Sequence, residues 1–258
     1  MKRIFKIGVI VLILGVILLG IGFFNNGNKA IYFENNRPAI FHSHTKTIHS
    51  HTKTISTNKA FERIDISAST ANVIVREGKK YQITYSGISR HTPAVTVHNN
   101  VASIRQTGGF PLVFNFNDYQ PHQDLIIVTI PHDQALAGRI HLESGDLTVS
   151  KVKMDNIDVN SDAGEVEYRQ VTLRGGSTKL SSGNFTGHDL TVQGQYTVNN
   201  QSGDNTVTST TVDGYFLKTE DGDNELNGED KGEEPLHQND DAENVLRLIT
   251  QSGDNEVN

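Results

Sequence analysis

From Phe61 onward, apolar and polar residues alternate over short runs. Ile64 and Ile66, Val73 and Val75, Ile83 and Tyr85, and Val95 and Val97 each sit two apart. That is the period of a strand, whose successive side chains point to opposite faces. Leu125–Ile130 is a strongly apolar run, broken only by Thr129 and stopped by Pro131. Past residue 140 the alternation repeats itself, with Ile140, Leu142, Leu147 and Val149, then Val166 and Tyr168, then Leu190 and Val192. No stretch after residue 60 sustains a 3.6-residue apolar period, and β-branched residues dominate, so a helical repeat is excluded.

Glycine punctuates these strands at a fixed interval. Gly145, Gly164, Gly183, Gly203, Gly222 and Gly253 are spaced by 19, 19, 20, 19 and 31 residues, and five of the six precede an acidic residue. A period near twenty marks a stack in which each unit packs on its neighbours. In Ser-Gly-Asp corners, glycine tolerates positive φ and aspartate can bond its own backbone. The expectation is an all-β fold: a single-stranded parallel β-solenoid, a β-helix taken as right-handed, with 19–20 residues per turn. A β-sandwich or meander also spaces strands regularly, but it does not require the same residues at every corner.

Stacking makes predictions at single positions. Two residues after each glycine stand Leu147, Val166 and Phe185, expected inside the coil, and then Asn205, Asn224 and Asn255. These asparagines would form an amide ladder at a strand spacing of roughly 4.8 Å. One residue after each glycine stand Asp146, Glu165, Asn184, Asp204, Asp223 and Asp254. Unit charges at that spacing repel by only about 0.9 kcal/mol in water, a tolerable cost for a solvent-facing column. Asp204, Asp223 and Asp254 are therefore candidate ligands for a divalent cation. Neither an EF-hand nor a nine-residue glycine-rich calcium repeat is present.

The chain begins Met1-Lys-Arg-Ile-Phe-Lys6 and then runs uncharged and apolar from Ile7 to Phe24. That length suits a membrane-spanning helix, and the basic start places residues 1–6 in the cytoplasm and the remainder outside. A cleaved signal peptide is the rival reading, but Phe23-Phe24-Asn25-Asn26 offers no small-x-small cleavage pattern. Residues 25–59 read as a polar stalk, and within it His42-Ser-His-Thr-Lys-Thr-Ile48 is repeated at once by residues 49–55. His42, His44, His49 and His51 form two His-x-His pairs that could take zinc or copper, although no Cys or carboxylate completes the set.

Charge divides the chain. Residues 1–140 carry 15 Lys+Arg against 7 Asp+Glu, whereas residues 141–258 carry 8 against 23. The repeat half, at net −15, should not seek nucleic acid or anionic lipid. With no cysteine, neither disulfides nor thiolate metal sites can hold the fold. The wide interval between Gly222 and Gly253 contains an acidic insertion, 228–243, expected as a mobile loop. The stop at Asn258, just after the last corner, is expected to leave an open edge suited to self-association.

Phe61-Glu-Arg-Ile-Asp-Ile-Ser-Ala-Ser-Thr-Ala-Asn-Val-Ile-Val75, the Leu125–Pro131 strand and the repeated Ser-Gly-Asp corners resemble the bacterial "putative adhesin" family of β-strand-repeat proteins. The resemblance spans residues 60–258. It implies a β-helical surface domain behind one membrane helix, with some members tied to cell-envelope stress. It carries no catalytic residue and no cofactor. The leading expectation is an adhesin-like binding or scaffolding module for an unknown protein or glycan at the cell surface. A regulator of envelope-stress signalling is the alternative. A polysaccharide-acting enzyme is the third reading, and it lacks any nucleophile elbow, phosphate loop or HExxH motif.

Overall fold

The structure, a computed structural model, describes residues 31–34, 37–40, 50–108 and 123–258. The expected tail (1–6) and anchor (7–24) lie outside these residues. Among the described residues, no helix is long and apolar enough to cross a membrane. Strands β1 (Ile31–Glu34) and β2 (Arg37–Ile40) pair antiparallel in a unit of their own.

All other strands belong to one hydrogen-bonded all-β sheet system. In chain order these begin with β3 (Ser50–Thr57), β4 (Arg63–Ala68), β5 (Asn72–Gly78), β6 (Gln82–Ile88), β7 (Ala94–His98), β8 (Val101–Gln106) and β9 (Leu125–Pro131). The repeats follow as β10 (Ala135–Leu142), β11 (Leu147–Ser150), β12 (Lys153–Ser161), β13 (Val166–Arg169), β14 (Thr172–Leu180), β15 (Phe185–Val192), β16 (Gln195–Ser202) and β17 (Asn205–Thr211). The chain finishes with β18 (Gly214–Lys218), β19 (Asn224–Leu226), β20 (Glu229–Asp230), β21 (Leu236–Gln238), β22 (Val245–Ser252) and β23 (Asn255–Val257).

Each glycine corner joins two strands, and equivalent strands of successive repeats pair in parallel. β10, β12, β14 and β16 form one row, and β11, β13, β15 and β17 another. This is a β-solenoid-like repeat. Register alignment carries Ile66, Ile140, Val159, Thr178 and Val198 into one inward line, each at most 1% exposed. Leu147, Val166 and Phe185 form the equivalent line on the second row, as expected. Fully burying one such apolar side chain contributes about 1.5–3 kcal/mol.

The glycine column has a steric cause. At Gly183, where φ is +123°, an added Cβ would lie 2.1 Å from the Gly164 carbonyl oxygen of the coil beneath. Two influences therefore exclude a side chain there, the close approach and the left-hand backbone. A second corner, at Lys151, Gln170, Asp189, Ser209 and Asn227, also has positive φ, between 52° and 59°, yet uses no glycine.

Chain order and stacking order part company at both ends. Sequence reasoning placed the Gly222 coil on the Gly203 coil, with the Gly253 coil last. Instead β22 pairs with β16 on one side and β18 on the other, and β23 lies between β17 and β19. The carboxy-terminal coil is thus inserted second from the end, with partners on both edges rather than the open edge expected at Asn258. The amino-terminal end mirrors this arrangement. β4 lies between β8 and β10, and β5 between β9 and β11.

Antiparallel strands close both ends. β7 covers β8, and β6 covers β9 with β3 outside it. At the far end β21 covers β18 and β20 covers β19. Two expectations are corrected here. The acidic insertion 228–243 contains β20 and β21 and forms a cap, because the terminal strands would otherwise expose an unpaired ladder. The stalk expected through residue 59 gives way to β3 at Ser50, whose Thr and Ile residues suit an edge strand. Asn244 pins the returning chain, accepting from the Gly194 N–H at 2.7 Å and donating to Asp213 at 2.6 Å.

Gly183→Ala should destabilise the protein by about 3 kcal/mol or more, lowering the thermal midpoint by about 6–12 °C. Gln170→Gly should stay within about 1 kcal/mol of wild type, since relief of left-handed strain offsets added chain entropy. Both are read by calorimetry. Removing residues 245–258 should strip hydrogen-exchange protection from residues 213–244 as well. A stack in simple chain order would leave that segment protected.

Candidate functional site

The acidic residues stack in a column, and one carboxylate oxygen each of Asp146, Asp204 and Asp254 is occupied. Asp146 Oδ1 accepts the Glu165 N–H at 3.0 Å, and Asp204 Oδ1 accepts the Asp254 N–H at 3.0 Å. Asp254 Oδ1 in turn accepts the Asp223 N–H at 2.9 Å. Asn72 and Asn184 do the same for Asp146 and Asp204 at 3.0 Å. The sequence-based expectation of a bond to the residue's own turn is corrected: each side chain reaches the coil stacked upon it. A hydrogen bond to a charged acceptor contributes about 1.5–3 kcal/mol, which exceeds the ~0.9 kcal/mol of repulsion between solvated neighbours. Among the described residues no group of three His, Cys, Asp or Glu side chains is placed to hold a metal ion.

The amide ladder forms inside the coil, in the inserted order. Asn205 Nδ2 donates to Asn255 Oδ1 at 2.8 Å, and Asn255 Nδ2 donates to Asn224 Oδ1 at 2.9 Å. Asn224 Nδ2 donates to the carbonyls of Gly232 and Glu234 in the cap. All three asparagines are fully buried. They tie the β17, β23 and β19 coils together and are unavailable to a ligand.

His42, His44 and His49 lie outside the described residues. His51 is part of a cluster that sequence reasoning missed. Its Nδ1 is 3.2 Å from Ser89 Oγ, and its ring meets that of Tyr85 edge-on at 6.3 Å. Tyr85 donates its hydroxyl to Asp124 Oδ1 at 2.6 Å, the Ile88 N–H donates to the same oxygen at 2.9 Å, and His91 Nδ1 lies 2.6 Å from Asp124 Oδ2. Asp124 is 4% exposed. Burial alone would raise its pKa, but donors on both oxygens hold it below the ordinary carboxylate range. Burial, then the neighbouring Asp124, pushes the Tyr85 hydroxyl far up. Asp124 lies 39, 36 and 33 positions from Tyr85, Ile88 and His91, so no motif announced the set. The arrangement locks β6 to the start of β9.

Deeper in the stack, Thr178 bridges the hydroxyls of Tyr168 and Tyr196 at 2.8 Å each, and burial pushes Tyr168 up to about 12. These groups are sealed from solvent.

Accessible chemistry lies on the outer surface. Register aligns Asp65, Arg139, Asp158, Ser177, Thr197 and Arg247 in one outward row across β4, β10, β12, β14, β16 and β22. Asp65 takes an ion pair from Arg105 and a second contact from Arg139 Nε at 3.3 Å, and the Arg105 hydrogen bond lowers its pKa against a burial effect. Ser177 donates to Asp158 at 3.0 Å. An open groove of about 430 Å³ runs beside this row, lined by Arg63, Asp65, Arg139, Asn156 and Asp158. A second groove, about 630 Å³, lies at the amino-terminal end between β3 and β7.

A family profile described as Toastrack DUF4097 matches residues 61–227 and again 134–258, overlapping as an internal repeat would. This chain belongs to the Toastrack DUF4097 family. Among solved structures, a "putative cell adhesion protein" from Clostridium sporogenes aligns with a TM-score of 0.50 at 14% identity, covering 81% of this chain and 98% of the other. A "putative adhesin" from Bacteroides fragilis aligns at 0.43 and 15%, covering 81% and 97%. A "putative lipid binding protein" from Parabacteroides distasonis aligns at 0.36 and 11%, covering 82% and 98%. At such identities the first likeness is one of fold alone. No curated protein matches the sequence at a significant level.

Asp124→Asn should cost this Toastrack chain about 1.5–3 kcal/mol at neutral pH. A carboxyl whose folded pKa is depressed stabilises fully above its unfolded pKa, near 4, and loses that contribution as pH falls through the folded value. The gap between wild type and variant, followed by denaturant unfolding, should therefore narrow from pH 5 to pH 2.

Proposed function

We propose that this Toastrack protein is a membrane-anchored, adhesin-like binding module of the cell envelope, held by a helix over residues 7–24 with residues 25–258 outside. It binds rather than catalyses, and its coil is read as right-handed, the hand of nearly all parallel crossovers. The observation that carries this reading is the outward row from Asp65 to Arg247, which sets polar and charged groups at strand spacing on a stiff parallel sheet. Such a surface adds many shallow contacts to one extended protein or glycan partner. The names of its structural neighbours point the same way.

The full chain, expressed in a non-adherent bacterial host, should raise attachment to coated glycan or cell layers by about tenfold, and external protease should release residues of the stack from intact cells. Asp65→Ala with Arg139→Ala should lose most of the gain at unchanged surface level. Attachment equal to that of the empty host would overturn the adhesive reading. An altered response to envelope-active antibiotics in that case would favour the regulatory alternative.

A further inference from the structure

The two ends of the stack differ in charge as sharply as they differ in chain order. β3, β6, β7 and β8, which form the amino-terminal end, contain no Asp or Glu. Exposed lysines surround them: Lys53 on β3, Lys59 just beyond it, and Lys79 and Lys80 in the turn before β6. The Asn58 N–H bonds the Tyr81 carbonyl at 2.9 Å, which brings Lys59 beside the Lys79–Lys80 turn. The opposite end is the reverse. Residues 213–244 hold twelve Asp and Glu against Lys218 and Lys231. Arranged this way, the stack is a long electrostatic dipole, positive where the chain enters it.

The positive end also carries the apolar surface. The groove between the outermost strands is lined by Ile55, Val95 and Val97, with Lys59 and His98 at its rim. These three apolar side chains pack on the core from outside and remain only half-buried. Half-exposed aliphatics ringed by lysines are the pattern of a surface that sits at a lipid interface, where apolar area leaves water and cations meet anionic headgroups. Geometry supplies the partner. β3 begins at Ser50, so only residues 25–49 separate this end from the proposed anchor, a span of at most ~85 Å. That tether holds the end close to a bilayer at high effective concentration, so individually weak contacts suffice. The acidic end is repelled by the same surface.

We propose that the β3–β7 end of the stack docks on the anionic lipid surface of the membrane that anchors the chain. Lys53, Lys59, Lys79 and Lys80 meet headgroup phosphates, while Ile55, Val95 and Val97 lose their remaining exposure against the interface. Docking stands the stack upright, with its acidic cap outermost and the Asp65–Arg247 row presented sideways. This deepens the proposed function and rests on its anchoring reading. It also revises the expectation of indifference to anionic lipid, which was drawn from the repeat half alone.

Because the chain has no cysteine, Val97→Cys and Glu256→Cys each accept a single environment-sensitive fluorophore. The full chain is reconstituted into phosphatidylcholine vesicles with or without phosphatidylglycerol, and the label is quenched by neutral acrylamide from the aqueous phase. Quenching at position 97 should fall at least about twofold when phosphatidylglycerol is present and recover in high salt. Quenching at position 256 should not change. Lys53→Glu with Lys59→Glu should abolish the difference at an unchanged melting temperature. Equal quenching at position 97 in both vesicles, or equal shielding at both positions, overturns the proposal. A chain that does not float with phosphatidylcholine vesicles refutes the anchor instead. Docking is then read by adding the chain to preformed vesicles, where flotation with phosphatidylglycerol alone supports it and flotation with neither refutes it.

Discussion

At each glycine corner the backbone of one coil approaches the carbonyl of the coil beneath too closely for any side chain. That approach fixes register, because a slip of one residue would drive a Cβ into backbone at every level. Once register is fixed, the rest follows in columns. Inward lines meet inward lines, the Asp and Asn oxygens after the glycines find the next N–H, and the three buried asparagines close into a ladder. Side chains three positions before a corner glycine finish the corner of the neighbouring coil. Asn200, Thr250 and Thr219 donate to the carbonyls of Gly183, Gly203 and Gly253 at 2.8, 3.1 and 2.9 Å, satisfying acceptors that the tight approach buries.

The ends solve a problem that a parallel stack cannot solve with its own strands. A parallel coil always leaves an unpaired ladder at its last turn, and a chain terminus there would fray. Here each terminal coil is an internal segment, covered by antiparallel strands, and the β4–β5 and β22–β23 coils lie one level inside. The acidic residues of 228–243 then serve the cap, since charge on β20 and on the turns around β21 discourages pairing with another sheet edge.

Much of this was legible where sterics or burial constrain residue identity. The glycine corner shows in the sequence because only glycine fits at Gly164 or Gly183. The second corner does not show, because Lys151, Gln170, Asp189, Ser209 and Asn227 are exposed and a single left-handed residue is tolerated there at modest strain rather than excluded by contact. The interior placement of Leu147, Val166 and Phe185 followed from the offset to glycine, as did the column of asparagines at the same offset. The swapped order of the Gly222 and Gly253 coils did not, since a repeat period records what stacks but not which copy lies on which. The Asp124 cluster was equally hidden. Tyr85, His91 and Asp124 are ordinary residues 33 and 39 positions apart, and only the folded chain brings them together.

The inserted carboxy-terminal coil has a temporal consequence. A polypeptide delivered amino end first, from a ribosome or through an export channel, produces β18 and β19 well before β22 and β23 exist. Those earlier strands have no floor to rest on until residues 245–257 arrive and slide beneath them. Closure of the far end is thereby tied to delivery of that segment, so a chain that has emerged only as far as residue 244 stays loose at its trailing part and resists premature compaction.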